Sequence, residues 1–476
     1  MNNNQFTTYL NLFGVTPDNL NKLLQIALAN GGEYADLYFE HTLASELTLR
    51  DGEVNATGTH IDYGVGIRVV CAEQTGYAYS ETTTMADMEK AAKTAAQIAS
   101  MGGTPLNLPE RIVPLVGANY YPIIKGWDNI SIVDKIPYLQ ELNTLIFEKD
   151  SRVVKVIGRI ADSNTKILFY NSLGEAFTDE RPMISVVASC VMESNGRTEN
   201  SSSSRSFRMG FEMINSQLID EIASEAVERG AFLFNAKQPK GGRMQVVMGS
   251  GSSGILLHEA VGHAFEADFN RKNTSIFSDL MGEKICDSSI NIIDDGTIVG
   301  NRGSCNFDDE GVPGKKTYMV TNGVLTSYLH DRISAKHYNV EPTGNGRRES
   351  FRFMPIPRMR ATYMESGTTK EEELIASVKK GVYVDNFSNG QVQIGAGDFT
   401  FYVKSGYLIE NGKLTQPIKD VNIIGNGPQA LEDITGVANN NRIENATWTC
   451  GKEQYCPVSC GMPSVLVNKL TVGGKS

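Results

Sequence analysis

The sequence predicts an α+β protein. An N-terminal α+β domain, residues 1–239, is expected to precede a largely antiparallel β-rich C-terminal domain, residues 240–476. Three observations favour this fold class. Helical and strand-like hydrophobic patterns alternate in the first part of the chain. Short strand-like segments bounded by glycine turns dominate the second part. The chain, at 476 residues, is also long enough for two or three domains.

In the first domain, amphipathic helices are expected to separate groups of strands. The predicted helices are residues 17–30, 85–99, 131–149 and 218–235, and Gly102-Gly103 is expected to end the second of them. The predicted strands are residues 35–40, 46–50, 64–70, 75–80, 153–159, 166–171, 176–178 and 184–193. Residues 104–127 are interpreted as a connector, and the serine-rich run 200–206 as a loop or edge turn.

In the second domain, a buried strand at 244–248 leads through a Gly/Ser loop, 249–254, into one conspicuous helix. That loop is either a phosphate cradle or a strand-to-helix turn with a serine N-cap. No Lys or Thr completes a phosphate-binding loop, which favours the turn. Strands are then predicted at 291–293, 317–320, 325–329, 381–385, 391–394, 399–404, 406–410 and 421–425, and helices at 334–339 and 369–379.

Composition excludes several classes of function. The formal net charge is −11, and an acidic chain without a basic block is not expected to bind nucleic acid nonspecifically. No stretch of about eighteen apolar residues predicts a membrane span, and no signal peptide is visible at the N-terminus. Seven scattered cysteines do not resemble a disulfide framework, so the cytoplasm is the expected compartment.

The conspicuous helix carries His258, Glu259 and His263. Histidine is the commonest metal ligand, and a Glu beside it is the usual general base of a zinc peptidase. The two histidines are five positions apart, however, which turns their side chains about 140° from each other on a regular α-helix. The helix must therefore end near Gly262 or bulge there with a π turn; otherwise the histidine pair is fortuitous.

A catalytic zinc site needs a third protein ligand. Three of the seven cysteines fall within residues 449–461, and a thiolate binds zinc well. These cysteines could instead form a separate structural metal site or be buried small hydrophobic residues. His330 and His337 are further candidates that nothing in the sequence distinguishes.

A second polar cluster, residues 342–350, contains Arg347 and Arg348 in a glycine-rich loop. Adjacent arginines are suited to gripping a substrate carboxylate. The alternatives are a solvated loop and pairing with carboxylates of the protein itself.

Taken together, these motifs resemble the TldD/PmbA metallopeptidases, once described as modulators of DNA gyrase. The most specific combination is His258-Glu259-Ala260-Val261-Gly262-His263 followed by Gly344-Asn345-Gly346-Arg347-Arg348-Glu349-Ser350 and then Cys450-Gly451-Lys452. Further matching segments lie at 35–40, 64–68, 75–78, 308–311, 390–392 and 407–412. Cys456 and Cys460 look like additions to the family pattern.

The resemblance implies a TldD-like branch member, because the PmbA (TldE) branch lacks the HExxxH motif. It implies zinc ligands His258, His263 and Cys450, with Glu259 as catalytic base. It also implies cleavage of small unfolded peptides, such as leader sequences, and a dimer with a PmbA/TldE-like partner or with a second copy. The peptide is expected to add as a strand beside a sheet edge.

Two functions of different class follow. The first is a zinc-dependent peptidase with Glu259 as general base, and the second is a non-catalytic peptide-binding or regulatory subunit with a structural metal. A binding module does not need a Glu between two histidines, which favours the peptidase. The peptidase hypothesis also makes a geometric prediction: the helix must distort at Val261-Gly262 so that His263 turns toward the ion.

Overall fold

The computed structural model describes residues 3–99, 107–109 and 111–474, and it has the predicted α+β architecture. Seven strands form a mainly antiparallel sheet in the N-terminal half. They are β1 (Tyr34–Arg50), β2 (Glu53–Cys71), β3 (Gln74–Ser80), β4 (Val113–Pro114), β5 (Val153–Asn171), β6 (Glu175–Ser194) and β7 (Arg197–Phe207). Their spatial order is β3-β2-β1-β5-β6-β4, and β7 also pairs with β6. Pairs of segments that were predicted as separate strands join without a break in β1, β5 and β6.

Helices cover one face of this sheet. They are α1 (Asn3–Phe13), α2 (Pro17–Ala27), α3 (Met85–Ile98), α4 (Ile132–Lys149) and α5 (Ser216–Asn235). Because side chains alternate along a strand, Phe39 and Leu47 of β1 face the helices, whereas Tyr38 faces away. Tyr38 packs in a cluster with Phe307 and Phe351 of the C-terminal half. The face of the sheet that the helices leave uncovered therefore packs against the C-terminal half of the chain.

The prediction of a loop at residues 200–206 was wrong, because this run belongs to β7. Its serines alternate between two environments, and those facing inward find acceptors. The Ser201 hydroxyl donates to the Ala226 carbonyl at 2.6 Å, and the Ser206 hydroxyl donates to the Ile184 carbonyl at 2.8 Å. These bonds satisfy polar groups that would otherwise oppose burial in a strand.

The C-terminal half contains two larger sheets. Its strands are β8 (Gly242–Met248), β9 (Ile292–Asp295), β10 (Lys316–Thr321), β11 (Val324–Leu325), β12 (Gly346–Arg347), β13 (Ile356–Pro357), β14 (Ala361–Met364), β15 (Lys380–Gln393), β16 (Asp398–Glu410), β17 (Lys413–Ile418), β18 (Val421–Asn426), β19 (Ile434–Val437), β20 (Arg442–Glu444), β21 (Thr449–Lys452), β22 (Gln454–Pro457), β23 (Ser459–Met462) and β24 (Val465–Gly473). One sheet has the order β11-β10-β9-β14-β23-β20. The other has the order β15-β8-β24-β18-β16-β17, and it closes on itself because β16 also pairs with β15.

Five short helices accompany these sheets: α6 (Gly254–Leu257), α7 (Ala267–Arg271), α8 (Arg332–Tyr338), α9 (Glu371–Ser377) and α10 (Gly427–Glu432). The sequence did not predict α10. The strand expected at 325–329 is confined to Val324–Leu325. Residues 254–265 lie in the main hydrophobic core, where Leu257, Val261 and Phe265 pack with residues of both sheets.

The Gly/Ser loop is a strand-to-helix turn. Ser253 occupies the N-cap position of α6, but its side chain makes no capping hydrogen bond. The glycine at position 254 has a packing reason. A Cβ there would lie 2.3 Å from the backbone nitrogen of Gly461 in β23, so only glycine lets the helix start this close to the sheet.

Buried charges join the two halves. The Arg68 guanidinium on β2 donates to Asp36 of β1 at 2.7 Å and to Glu310 of the C-terminal half at 2.5 Å. Arg348 reaches the same Asp36 at 3.3 Å. All four side chains are buried. A buried ion pair that lacked one partner would leave an uncompensated charge, so this network fixes how the halves meet.

Gly102-Gly103 and part of the connector 104–127 fall outside the described residues. The division of the chain after residue 239 stays a prediction. Within the described ranges, no helix is both long and apolar enough to cross a membrane.

Candidate metal centre

The two histidines lie at either end of a π-helical turn. α6 continues directly into this turn, His258–Gly262, and the segment ends in a 3₁₀ turn, His263–Phe265. The wider turn absorbs the extra residue of the five-residue spacing, and the two imidazole centroids come within 5.0 Å. The predicted distortion at Val261-Gly262 is therefore confirmed, and a regular helix through His263 is excluded.

The third member of the cluster comes from a distant part of the chain. Cys450 lies on β21, which pairs with β22 in a two-stranded hairpin. Its Sγ is 3.2 Å from Nε2 of His263, although 187 positions separate the two residues. The candidate ligand atoms of His258, His263 and Cys450 all lie within 4.8 Å of one another, and all three residues are buried. Within the described residues, this is the one group of three or more His, Cys, Asp or Glu side chains with such spacing.

These residues fit a zinc ion. Neither ring nitrogen of His258 has a hydrogen-bonding partner within the described residues, although the side chain is buried. An unsatisfied buried polar group costs about 1–3 kcal/mol, and a metal bond would remove that cost. Imidazole nitrogen and thiolate sulfur are both zinc ligands, and three protein ligands leave one tetrahedral position free.

Glu266 orients His263. Its Oε2 lies 2.9 Å from Nδ1 of His263, so the carboxylate can accept a hydrogen bond from Nδ1–H while Nε2 faces Cys450. Lys452, two residues beyond Cys450, contacts the same carboxylate at 3.1 Å. Burial raises the pKa of Glu266, but Lys452 and His263 beside it outweigh that effect and lower its pKa overall.

Sequence reasoning did not assign a role to Glu266. The available signal was its position three residues after His263, a spacing that places two side chains on the same side of a helical turn.

The ionisation state of Cys450 also suits a metal, whereas His263 would have to lose a proton from Nε2 to bind one. Burial raises the pKa of the Cys450 thiol, but the neighbouring His258 and His263 lower it to about 4. Burial lowers the pKa of His263, but Glu266 and Cys450 raise it overall. The thiolate is therefore favoured, and the thiolate is the form that binds metal.

Glu259 lies at the edge of the cluster. Its side chain is 23% exposed, and Oε2 is 3.9 Å from Nε2 of His263. The carboxylate thus reaches both the candidate ligands and solvent. A general base that must take a proton from water requires this placement.

Buried arginines hold the hairpin that carries Cys450. The Arg358 guanidinium donates to the Cys450 carbonyl at 2.7 Å and to the Gln454 carbonyl at 2.8 Å.

Arg347 donates to the Pro457 carbonyl at 2.7 Å. Arg348 bonds Asp36 and the Asp309 carbonyl. The geometry thus favours the alternative in which Arg347 and Arg348 bond groups of the protein itself, and their role in gripping a substrate carboxylate stays a prediction.

The other ligand candidates lie outside the cluster. Cys456 stands opposite Cys450 in the hairpin register, and Cys460 is on β23 opposite Thr362. His337 contacts Glu73 at 2.6 Å. His330 is buried, and burial lowers its pKa to about 4. Neither histidine joins the group around Cys450.

A cleft of about 750 Å³ lies beside the centre. The edge strand β7 lines one side of it, and β20, the last strand of its sheet, lines the other. Thr447 and Trp448, which lead into β21 and Cys450, also line it. The cleft therefore lies between the outer strands of two sheets, which meet where the Ser206 N–H donates to the Asn445 carbonyl at 2.6 Å. None of the three candidate ligands lines it, but its lining leads along the chain to Cys450.

Comparisons with known proteins agree along the chain. Residues 35–99 match PmbA/TldA metallopeptidase domain 1, residues 125–231 match the central domain, and residues 241–474 match the C-terminal domain. The metalloprotease TldD homolog of Haemophilus influenzae is 36% identical over 97% of this chain and 98% of its own length.

Two further relatives extend the comparison. The zinc metalloprotease TldD homolog of Saccharolobus solfataricus is 27% identical over 95% of this chain and 99% of its own. The crystal structure of TldE from Thermococcus kodakarensis superposes with a TM-score of 0.74 at 19% identity. It covers 96% of this chain and 100% of its own. At that identity, the structural likeness concerns the fold alone.

Proposed function

The chain belongs to the TldD/PmbA family of metallopeptidases, and we propose that it is a zinc-dependent peptidase that hydrolyses small unfolded peptides. One observation carries the proposal. A π turn and a hairpin 187 positions away bring two histidines and a cysteine to one point, and a carboxylate lies at its edge. The name of the relative from Saccharolobus solfataricus supports zinc as the metal.

In this proposal, His258, His263 and Cys450 hold the zinc ion. A bound zinc ion supplies Lewis-acid activation of water and of the scissile carbonyl. Glu259 accepts the proton of the attacking water and then delivers it to the leaving amine. With the metal bound, Glu266 would accept a hydrogen bond from Nδ1–H of His263, which leaves Nε2 to the metal. The position of Glu259 at the solvent-facing edge favours this reaction over the alternative of a non-catalytic binding subunit.

The cleft suits an extended peptide. β7 and β20 are outer strands of their sheets and line the cleft, and an unfolded segment can pair with a strand edge as an additional strand. A folded protein has few free strands to offer. The geometry therefore supports unfolded peptides, including leader segments, as substrates.

We extend the proposal to the assembly and the compartment. A second subunit, either a TldE-like chain or a second copy, is proposed because TldE shares this fold. A reducing compartment such as the cytoplasm is proposed because all seven cysteines are free thiols. Light scattering of the purified chain, alone and with a TldE-type partner, tests the first of these.

The decisive experiment pairs metal analysis with peptide cleavage. Purified protein is expected to contain stoichiometric zinc and to cleave an unstructured peptide, and a chelator should stop the cleavage. Glu259→Gln removes the base but none of the proposed ligands. It should keep its zinc and lose about 100- to 10,000-fold in kcat.

Glu453→Gln is the matched control. It makes the same chemical change at an exposed residue in the turn between β21 and β22. It should retain both zinc and activity. Full activity of Glu259→Gln, or cleavage without metal, would overturn the proposal.

A further inference from the structure

The cleft beside the metal centre carries positive charge, although the protein as a whole has a net charge of −11. Four cationic side chains line it, against two carboxylates. The cations are Arg205, Arg229, Lys404 and Arg442, and the carboxylates are Glu225 and Glu444.

The pairing within the cleft shows which charges are free. Glu225 accepts from Arg205 at 2.8 Å and from Arg229 at 2.7 Å, so that these three residues form a closed group. Lys404 contacts only an amide oxygen, that of Asn200 at 3.4 Å, and has no carboxylate partner within the described residues. Arg442 is 63% exposed and touches Glu444 at 3.4 Å. Lys404 and Arg442 are therefore the cations available to a ligand.

Two further features make the lining a donor surface. Burial raises the pKa of Glu444, although Arg442 beside it lowers the pKa, so this carboxyl loses its charge at a higher pH than an exposed Glu. The indole Nε1 of Trp448 is buried and has no acceptor within the described residues. The cleft thus offers two cations to a ligand, and the lining also contains a buried indole N–H without an acceptor in the described part of the chain.

These groups lie close to the proposed chemistry. Trp448 is two residues before Cys450, and Glu444 stands opposite Cys460 in the register of β20 and β23. A segment bound between β7 and β20 would therefore lie against the lining that contains Lys404, Arg442 and Trp448, the last of which is two residues from Cys450.

We infer that the site prefers peptide segments rich in Asp and Glu, and that Lys404 and Arg442 set this preference. The inference rests on the proposed peptidase function and adds to it the chemical class of the substrate. Two exposed cations acting on two acidic side chains favour an acidic peptide over a neutral one by about 2- to 30-fold. The attraction is electrostatic, so the preference should shrink as the salt concentration rises.

The test uses three unstructured peptides of equal length with the same central sequence. Their flanking positions are Glu, Gln or Lys. The holoenzyme is expected to cleave them with kcat/KM in the order Glu, then Gln, then Lys, and the spread should narrow between low salt and about 0.5 M salt. Equal kcat/KM for the three peptides, or a preference for Lys, would overturn the inference.

A pair of variants locates the preference. Lys404→Gln/Arg442→Gln should bring the Glu and Gln peptides to similar kcat/KM. Arg243→Gln/Lys469→Gln removes the same charge from exposed residues that line a separate cleft, and it should leave the preference intact. A preference unchanged in the first variant would contradict the assignment.

Binding to Glu259→Gln separates this inference from the proposed function. Fluorescence anisotropy with labelled peptides reports affinity without cleavage. Selective binding of the Glu peptide, together with no cleavage by the parent protein, would contradict the peptidase and support the acidic preference. Binding without selectivity would contradict the preference alone.

Discussion

Two thiols on one hairpin, Cys450 and Cys456, differ in their distance from His263 and in the direction of their pKa shifts. Cys450 has its Sγ 3.2 Å from the imidazole, whereas Cys456 stands opposite it in the register and lies outside the group of candidate ligands. Burial raises the pKa of Cys456 overall, which opposes the thiolate form that a metal needs. The structure thus favours Cys450 as the ligand.

The first prediction follows from this difference. Cys450→Ser should lose stoichiometric zinc, because serine replaces the thiolate with a poor ligand. Cys456→Ser, the same substitution on the same hairpin, should keep it. Metal analysis by mass spectrometry after gel filtration measures both, and circular dichroism verifies that each variant is folded. Zinc retained in Cys450→Ser but lost from Cys456→Ser would reverse the assignment.

Sequence reasoning went furthest where a single motif carried the chemistry. His258, Glu259 and His263 share one short stretch, and the hypothesis that both histidines bind one metal predicted the distorted helix that the structure contains. Cys450 came from the family resemblance, since nothing local connects it to a helix 187 positions away. Arg358 was missed because its function is to bond backbone carbonyls, and backbone acceptors leave no pattern in a sequence.

At the scale of elements, the centre depends on how the hairpin β21–β22 is held. Its carbonyls at Cys450 and Gln454 both accept hydrogen bonds from Arg358, whose guanidinium is fully buried. The planar guanidinium presents several fixed donors at once, whereas an ammonium group is a single compact centre. Arg358 therefore sets the position of the Cys450 backbone.

The second prediction concerns the hydrogen bonds from Arg358 to the β21–β22 hairpin. Arg358→Lys keeps the positive charge but loses the planar set of N–H donors that bonds the Cys450 and Gln454 carbonyls together. The backbone at Cys450 should therefore be less well ordered. Zinc affinity should fall about 10- to 100-fold, the usual effect of removing a group that supports a ligand. Competition with a chromogenic chelator measures it. Arg352→Lys is the control, because Arg352 makes ion pairs with Asp62 and Glu81 at the surface. Equal affinities in the two variants would show that these hydrogen bonds do not act on the metal site.

Strand β7 shows what sequence patterns miss at this scale. A run of serines has low hydrophobicity and predicts a loop, yet β7 is ordered by pairing with β6 and by hydroxyl bonds to neighbouring carbonyls. Those acceptors belong to other parts of the chain. By contrast, the long strands β1, β5 and β6 contain the predicted segments, because alternation along one strand is a local property.

At the scale of the whole molecule, the two halves meet through buried polar groups as well as aromatic ones. Glu40 on β1 lies in this junction. Its carboxylate accepts from the Thr42 hydroxyl and from the Phe351 backbone N–H, both at 2.8 Å. Phe351 belongs to the C-terminal half, so Glu40 ties the sheet to the part of the chain that builds the metal centre. Burial raises the pKa of Glu40 from 4.5 to about 7.

This shift predicts a pH dependence of stability. The folded state binds the Glu40 proton up to about pH 7, whereas the unfolded chain releases it near pH 4.5. Stability from this group is therefore present below pH 4.5 and is lost as the pH rises toward 7. Glu40→Gln keeps an acceptor oxygen without the charge. Its free energy of unfolding should rise relative to the parent between pH 5 and pH 8, by on the order of 3 kcal/mol at most. Urea denaturation across this range measures the difference in the free energy of unfolding between Glu40→Gln and the parent protein. The exposed Glu228→Gln on α5 should show no such trend, and a difference independent of pH in Glu40→Gln would mean that this carboxyl is not held neutral at the junction.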